Sequence, residues 1–218
     1  MLDTLALVLV PALAVAINPV PVLASLAMAG VERGVTLALV FAGGWILGLA
    51  VESYVVLLIV DGFLDASSTT AWTWLHALLA LLMLLLAWRL WWVRAHTGRG
   101  SPVPAWLDEV SGFTVPRTLG VGFSLAAANP RVVVFTVAAM AALVEGRSVP
   151  SSASGWAWFV VIGSLGVLLP VLVRMLRRDD AGAQQEAWWR DHNVPVAVVV
   201  LVVVAATQLA AAVLGRPA

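Results

Sequence analysis

The sequence predicts an all-α, polytopic membrane protein with six transmembrane helices in an inverted 3+3 repeat, helices 1 and 4 being broken at Asn-Pro. Three observations lead there. The 218 residues are 62% hydrophobic and only 11% charged, about half the charge of a soluble domain. Apolar runs of about 20 residues, long enough to cross a bilayer, recur six times. The dipeptide Asn-Pro interrupts two of those runs, at Asn18-Pro19 and at Asn129-Pro130.

The runs fall at about 2–29, 35–60, 71–93, 117–144, 153–174 and 194–214, by length and hydropathy. Glu32-Arg33-Gly34 ends the first. Asp61-Gly62 and Asp65 to Ser68 end the second, and the third runs into Arg89, Arg94 and Arg99. Glu145-Gly146-Arg147 ends the fourth, and Arg174, Arg177 and Arg178 end the fifth. Pro102 to Pro116 forms a connection in which Trp106, Leu107, Val110 and Phe113 share one face of a short amphipathic helix, suited to anchoring or lipid docking. The acidic stretch from Asp179 to Asp191, with Trp188 and Trp189, reads as a second surface loop.

Arginine placement sets the orientation. The first, third and fifth connections hold Arg33, Arg89, Arg94, Arg99, Arg117, Arg174, Arg177, Arg178 and Arg190; the other connections and tails hold Arg147 and Arg216. The odd connections are therefore expected in the cytoplasm and both termini outside, in a multi-pass protein of the inner (plasma) membrane. Ala27-Met28-Ala29 has the look of a cleavage site. However, the preceding segment lacks a basic region and contains Asp3, Pro11, Pro19 and Pro21, so a cleaved leader is not expected.

The two Asn-Pro pairs lie 111 residues apart, and the same offset carries Gly44-Trp45 onto Gly155-Trp156. Each half holds three spans. Three is odd, so the second half must be inverted relative to the first. The expected division is 1–116, the first three-helix repeat with its cytoplasmic loop, and 117–218, the second repeat, within one membrane domain.

Several chemistries are excluded. There is no cysteine, hence no disulfide and no thiolate metal site. His76, His96 and His192 show no ligand spacing, so no metal is expected. No Gly-rich phosphate loop and no Ser-His-Asp set is present, so neither enzyme activity nor a cofactor is expected. The formal net charge is zero, which gives no signal for nucleic acid.

Proline removes a donor and blocks the carbonyl four residues earlier. Pro19 is expected to free the carbonyl of Val15, and Pro130 that of Ala126, with Pro21 weakening the first break further. Asn18 and Asn129 add amides at the breaks. Arg131 follows the second break directly, at a depth where a charge costs about 2.5–3.5 kcal/mol. Glu52, the one acid well inside a span, is either its ion-pair partner or a proton carrier beside an anionic group held by Arg131. Gln208, Thr207, Thr136, Ser25, Ser53, Tyr54 and Ser124 read first as interhelical hydrogen bonds. The pairs Gly30/Gly34 and Gly44/Gly48 read as close helix contacts. Trp88, Trp91 and Trp92, with Arg89 and Arg94, read as an anchoring belt. The candidate translocation residues are Asn18, Pro19, Pro21, Glu52, Asn129, Pro130, Arg131 and Gln208.

Six spans with Asn-Pro inside the first and fourth resemble the lysine-exporter superfamily. Residues 16–22 (Ala-Ile-Asn-Pro-Val-Pro-Val), 41–51 (Phe-Ala-Gly-Gly-Trp-Ile-Leu-Gly-Leu-Ala-Val), Trp106 to Phe113 and Thr118 to Arg131 look closer to one branch. That branch is the glycolipid- and sulfolipid-addressing (GAP/Sap) proteins of mycobacteria and related actinobacteria. The resemblance implies export or surface placement of a cell-envelope lipid or glycolipid. By position, Asn18, Pro19, Asn129, Pro130 and the basic residue after it match the family pattern. The branch more often has lysine there, where this chain has Arg131, a bidentate fork suited to phosphate or sulfate. Two other readings stay open: export of a small polar or charged solute, and a non-transporting scaffold for envelope-lipid assembly. The partners expected are membrane lipids and a lipid or glycolipid substrate, with a homo-oligomer or envelope-lipid biosynthesis proteins left open.

Overall fold

The computed structural model describes residues 2–31, 34–63, 69–97, 104–145, 149–176 and 181–214. The boundary signals at Glu32, Arg33, Asp65 to Ser68, Arg99, Gly146, Arg147, Arg177, Arg178, Asp179 and Arg216 lie outside the described residues. Within them the chain is helical, with no strand. The elements are α1 (Leu2–Ala16), α2 (Pro19–Gly30), α3 (Gly34–Phe63), α4 (Thr69–Thr97), a 3₁₀ helix (Ala105–Gly112), α5 (Val115–Ala127), α6 (Pro130–Glu145), α7 (Val149–Leu176) and α8 (Ala181–Leu214).

Four of these, α3, α4, α7 and α8, are long and apolar enough to cross a membrane. The pairs α1–α2 and α5–α6 qualify as two more if each is counted as one bent span, with bends of 44° and 54°. The protein is therefore membrane-embedded. Its outer surface agrees, for Leu47, Leu58, Trp74, Leu81, Val161, Leu172 and Val199 are all exposed. Large apolar side chains turned outward along so many helices suit lipid rather than water.

Helices in lipid gain little from hydrophobicity and associate through close packing, which small residues permit. α3 lies on α5, and α7 lies on α1. Gly44 leaves room for the backbone of Leu119, and Gly122 leaves room for the backbone of Phe41. At Gly48 an added Cβ would sit 2.5 Å from the Phe123 carbonyl oxygen. On the other side of the molecule Gly166 of α7 faces the carbonyl of Ala16. The predicted Gly44/Gly48 contact is thus present, with α5 as its partner. Gly30 has open space around it, whereas Gly34, at the start of α3, meets the backbone of Met28 and Ala29 at the end of α2.

Two surface expectations change. The apolar face of the 3₁₀ helix does not meet lipid: Leu107, Val110 and Phe113 are buried, and the helix packs on α2. Ion pairs hold its polar side, Asp108 with Arg190 of α8 at 3.5 Å and Glu109 with Arg117 of α5 at 3.6 Å. The stretch expected as a second loop is instead the start of α8, helical from Ala181. A Glu186–Arg190 ion pair of 2.8 Å at i,i+4 spacing supports that first part, as such pairs do on exposed helices.

The glycine contacts predict that Gly122→Leu loses about 3 kcal/mol or more, by overpacking against backbone that cannot move aside. Gly30→Ala is expected to be neutral. Thermal unfolding of the detergent-solubilised protein checks both.

Candidate functional site

α1 ends at Ala16 and α2 restarts at Pro19; α5 ends at Ala127 and α6 restarts at Pro130. The carbonyl of Val15, blocked by Pro19 from its usual donor, is taken instead by the Asn18 N–H at 3.2 Å. At the second break the Ala128 N–H donates to the Ser124 carbonyl at 2.9 Å.

The two asparagines do different things. The Asn129 side-chain oxygen accepts the Arg131 backbone N–H at 3.1 Å and so caps α6, which is ordinary work for asparagine at a helix start. Asn18 makes no such cap. It is 3% exposed, and neither its amide nitrogen nor its carbonyl oxygen has a hydrogen-bond partner. A buried polar group without a partner costs about 1–3 kcal/mol.

Around the second break lies a half-open cavity of about 440 Å³, lined by Val20 of α2, by Leu86, Arg89, Leu90 and Val93 of α4, and by Asn129, Pro130 and Arg131. Two arginines face one space, and no acid lines it. Among the described residues neither arginine forms an ion pair. An anion there would relieve the repulsion and accept charge-assisted hydrogen bonds. Around the first break is a crevice of about 10 Å³, no more than one water's space. Ala14, Ile17, Asn18, Pro19, Arg131, Phe135, Ala197, Val200 and Leu201 line it.

These two spaces correspond. The offset of 111 carries Leu86, Arg89 and Leu90 of the cavity onto Ala197, Val200 and Leu201 of the crevice, and Asn129-Pro130 onto Asn18-Pro19. Arg131 lines both. Its counterpart by the offset is Val20, which faces the cavity. The cavity is open and lined by two arginines, whereas the crevice is nearly closed and lined by Arg131 alone of the charged residues.

Of the sequence candidates, Asn18, Pro19, Asn129, Pro130 and Arg131 are brought together. Pro21 is buried in α2 and lines neither space. Glu52 is buried, and among the described residues it forms no ion pair with Arg131. The hydroxyl of Thr136 is its polar neighbour, but neither carboxyl oxygen completes a hydrogen bond. Gln208 lies elsewhere, with its Oε1 2.8 Å from His76 Nδ1, while His76 Nε2 is 3.1 Å from Glu145. That group ties α4 to α8 and α6. Ser25 donates across to the Val167 carbonyl at 2.7 Å, and Ser53 accepts from Trp156 at 3.0 Å. Thr207 bonds within its own helix instead.

Arg89 is the site residue missed in the sequence. It stands among Trp88, Trp91 and Trp92, all three exposed, and so resembles a belt residue. Its spacing from Leu86 and Val93 gives the signal, because the three share one helical stripe.

The family described as Sap, sulfolipid-1-addressing protein, matches residues 8–214. The chain belongs to this family. Its family and its apolar helices together make it a membrane protein linked to lipid addressing. No curated protein and no solved structure matches the chain.

Asn129→Ala is expected to lower stability by about 1 kcal/mol through loss of the cap. Asn18→Leu is expected to raise it by about 1–2 kcal/mol, because an apolar side chain replaces unpartnered polar atoms. Denaturation of the two variants side by side gives the opposite signs.

Proposed function

We propose that this Sap-family protein is a carrier, not an enzyme, that moves or addresses an anionic envelope lipid or glycolipid, holding the headgroup between Arg89 and Arg131. The observation that carries the reading is the acid-free cavity with two guanidiniums at a broken helix. Arginine suits oxyanions because its fork donates two parallel hydrogen bonds to a sulfate or phosphate. The Asn129-capped start of α6 adds the positive end of a helix dipole on the same side. The family's sulfolipid description agrees with a sulfated headgroup. The half-open cavity gives a headgroup a way in while its acyl chains stay in lipid.

The carrier is read as six spans in an inverted 3+3 repeat, lying in the inner membrane with both termini outside. Several features support this. Each helix has a counterpart near the 111-residue offset: α1 with α5, α2 with α6, α3 with α7 and α4 with α8. The packing of α3 on α5 corresponds to that of α7 on α1, and α3 on α6 to α7 on α2. Ser53 and Ser164, also 111 apart, each donate to the carbonyl one turn back, that of Leu49 and that of Val160. Inverted repeats with broken helices meeting near the midplane are a recurrent build of secondary carriers.

The reading predicts that purified protein in nanodiscs binds a fluorescent sulfated glycolipid more tightly than its neutral analogue. Arg131→Ala and Arg89→Ala should each weaken that binding about tenfold or more, in line with a lost charge-assisted contact. Equal binding of sulfated and neutral lipids, with no effect of either substitution, would overturn it in favour of a scaffold. Surface lipid extracts from a deletion strain, complemented with wild type or Arg131→Ala, check the same reading in cells.

A further inference from the structure

We propose that the Asn18-Pro19 crevice is a second station for the same oxyanion headgroup, closed in this structure and opening as the Arg89 cavity closes. The proposal rests on the carrier reading and adds a second site to it.

Three observations converge on the crevice. Asn18 lines it with an amide that is 3% exposed and has no partner at either polar atom. Such an amide offers two N–H donors to an oxyanion, and nothing else in the crevice uses them. Arg131 lines the crevice as well as the cavity. Once the crevice opens, an anion that leaves Arg89 for Asn18 keeps Arg131 as a neighbour, because Arg131 belongs to both linings. The lining of the crevice also repeats that of the cavity at the 111-residue offset, so the two are one design in two conformations.

The helix packing shows which is closed. α1 packs on α6, and the crevice lies where they meet α8. The contact related by the repeat, α2 on α5, is nearly absent among the described residues. Likewise α8 packs closely on α2, whereas α4 touches α6 far less. One side of the molecule is shut and the equivalent side stands apart. A pseudo-two-fold molecule held in an asymmetric state has a mirror state of similar packing, in which the roles exchange. In that state Val200 takes the place of Arg89 and Val20 that of Arg131, while Arg131 takes the place of Val20, so the second station holds the anion with one arginine instead of two. Weaker holding there favours release.

The absence of native cysteine permits a direct test. Val93→Cys reports on the cavity and Val200→Cys on the crevice, each as the sole cysteine in proteoliposomes reacted with a charged methanethiosulfonate reagent. Without ligand, Val93→Cys should react at least tenfold faster than Val200→Cys. Adding a sulfated galactolipid should speed Val200→Cys at least tenfold and slow Val93→Cys, and a neutral galactolipid should do neither. Adding Arg131→Ala should abolish the response. An inorganic sulfate arm separates the sources: a response to sulfate alone supports the station with a free oxyanion as cargo, and a response to lipid only supports it with a headgroup. A Val200→Cys rate that neither probe changes, in protein that still binds the sulfated lipid through Arg131, overturns the second station and leaves the carrier reading standing. Loss of Arg131-dependent binding itself overturns both.

Discussion

Two helices that stop inside an apolar layer leave backbone groups that hydrocarbon cannot hydrogen-bond, and the remaining helices are arranged to cover them. The Ala16 end is sheltered by Gly166 of α7. The α5 segment leading to the second break is held by Gly44 and Gly48 of α3. Only glycine lets backbone approach backbone so closely. The long helices α3 and α7 therefore serve as supports for the two bent spans. The pair α4 and α8 closes the outside, joined through His76 and Gln208.

Covering is unequal, and the inequality is chemical as well as geometric. Asn129 spends its oxygen on capping α6, while Asn18 keeps both polar atoms unused. Arg89 and Arg131 line the open cavity, and the positions 111 residues away from them are valines, Val200 and Val20. Arg131 lines both the cavity and the crevice.

How much of this could be read in advance depends on range. The helical, membrane-embedded class was legible because it follows from composition and from apolar runs long enough to cross a bilayer. Arg131 stood out in the sequence as a charge inside an apolar run, and it lines both the cavity and the crevice. The Glu52–Arg131 partnership was undecided, and the two are not paired among the described residues. Helical phase places Glu52 beside Thr136, a full turn beyond Arg131 on α6. Arg89 looked like a belt residue because tryptophans surround it in sequence. The start of α8 looked like a loop because its charges and tryptophans hid a helix held by Glu186 and Arg190.

By itself the sequence determined the membrane class and the all-helical fold. Those properties follow from composition and from interactions a few residues long. The tertiary structure decided which groups share a space: Arg89 with Arg131, Asn18 with the crevice, Gln208 with His76. It also decided that one of two equivalent spaces is open and the other shut. That choice depends on how helices distant in the chain lean on one another, and no local pattern encodes it.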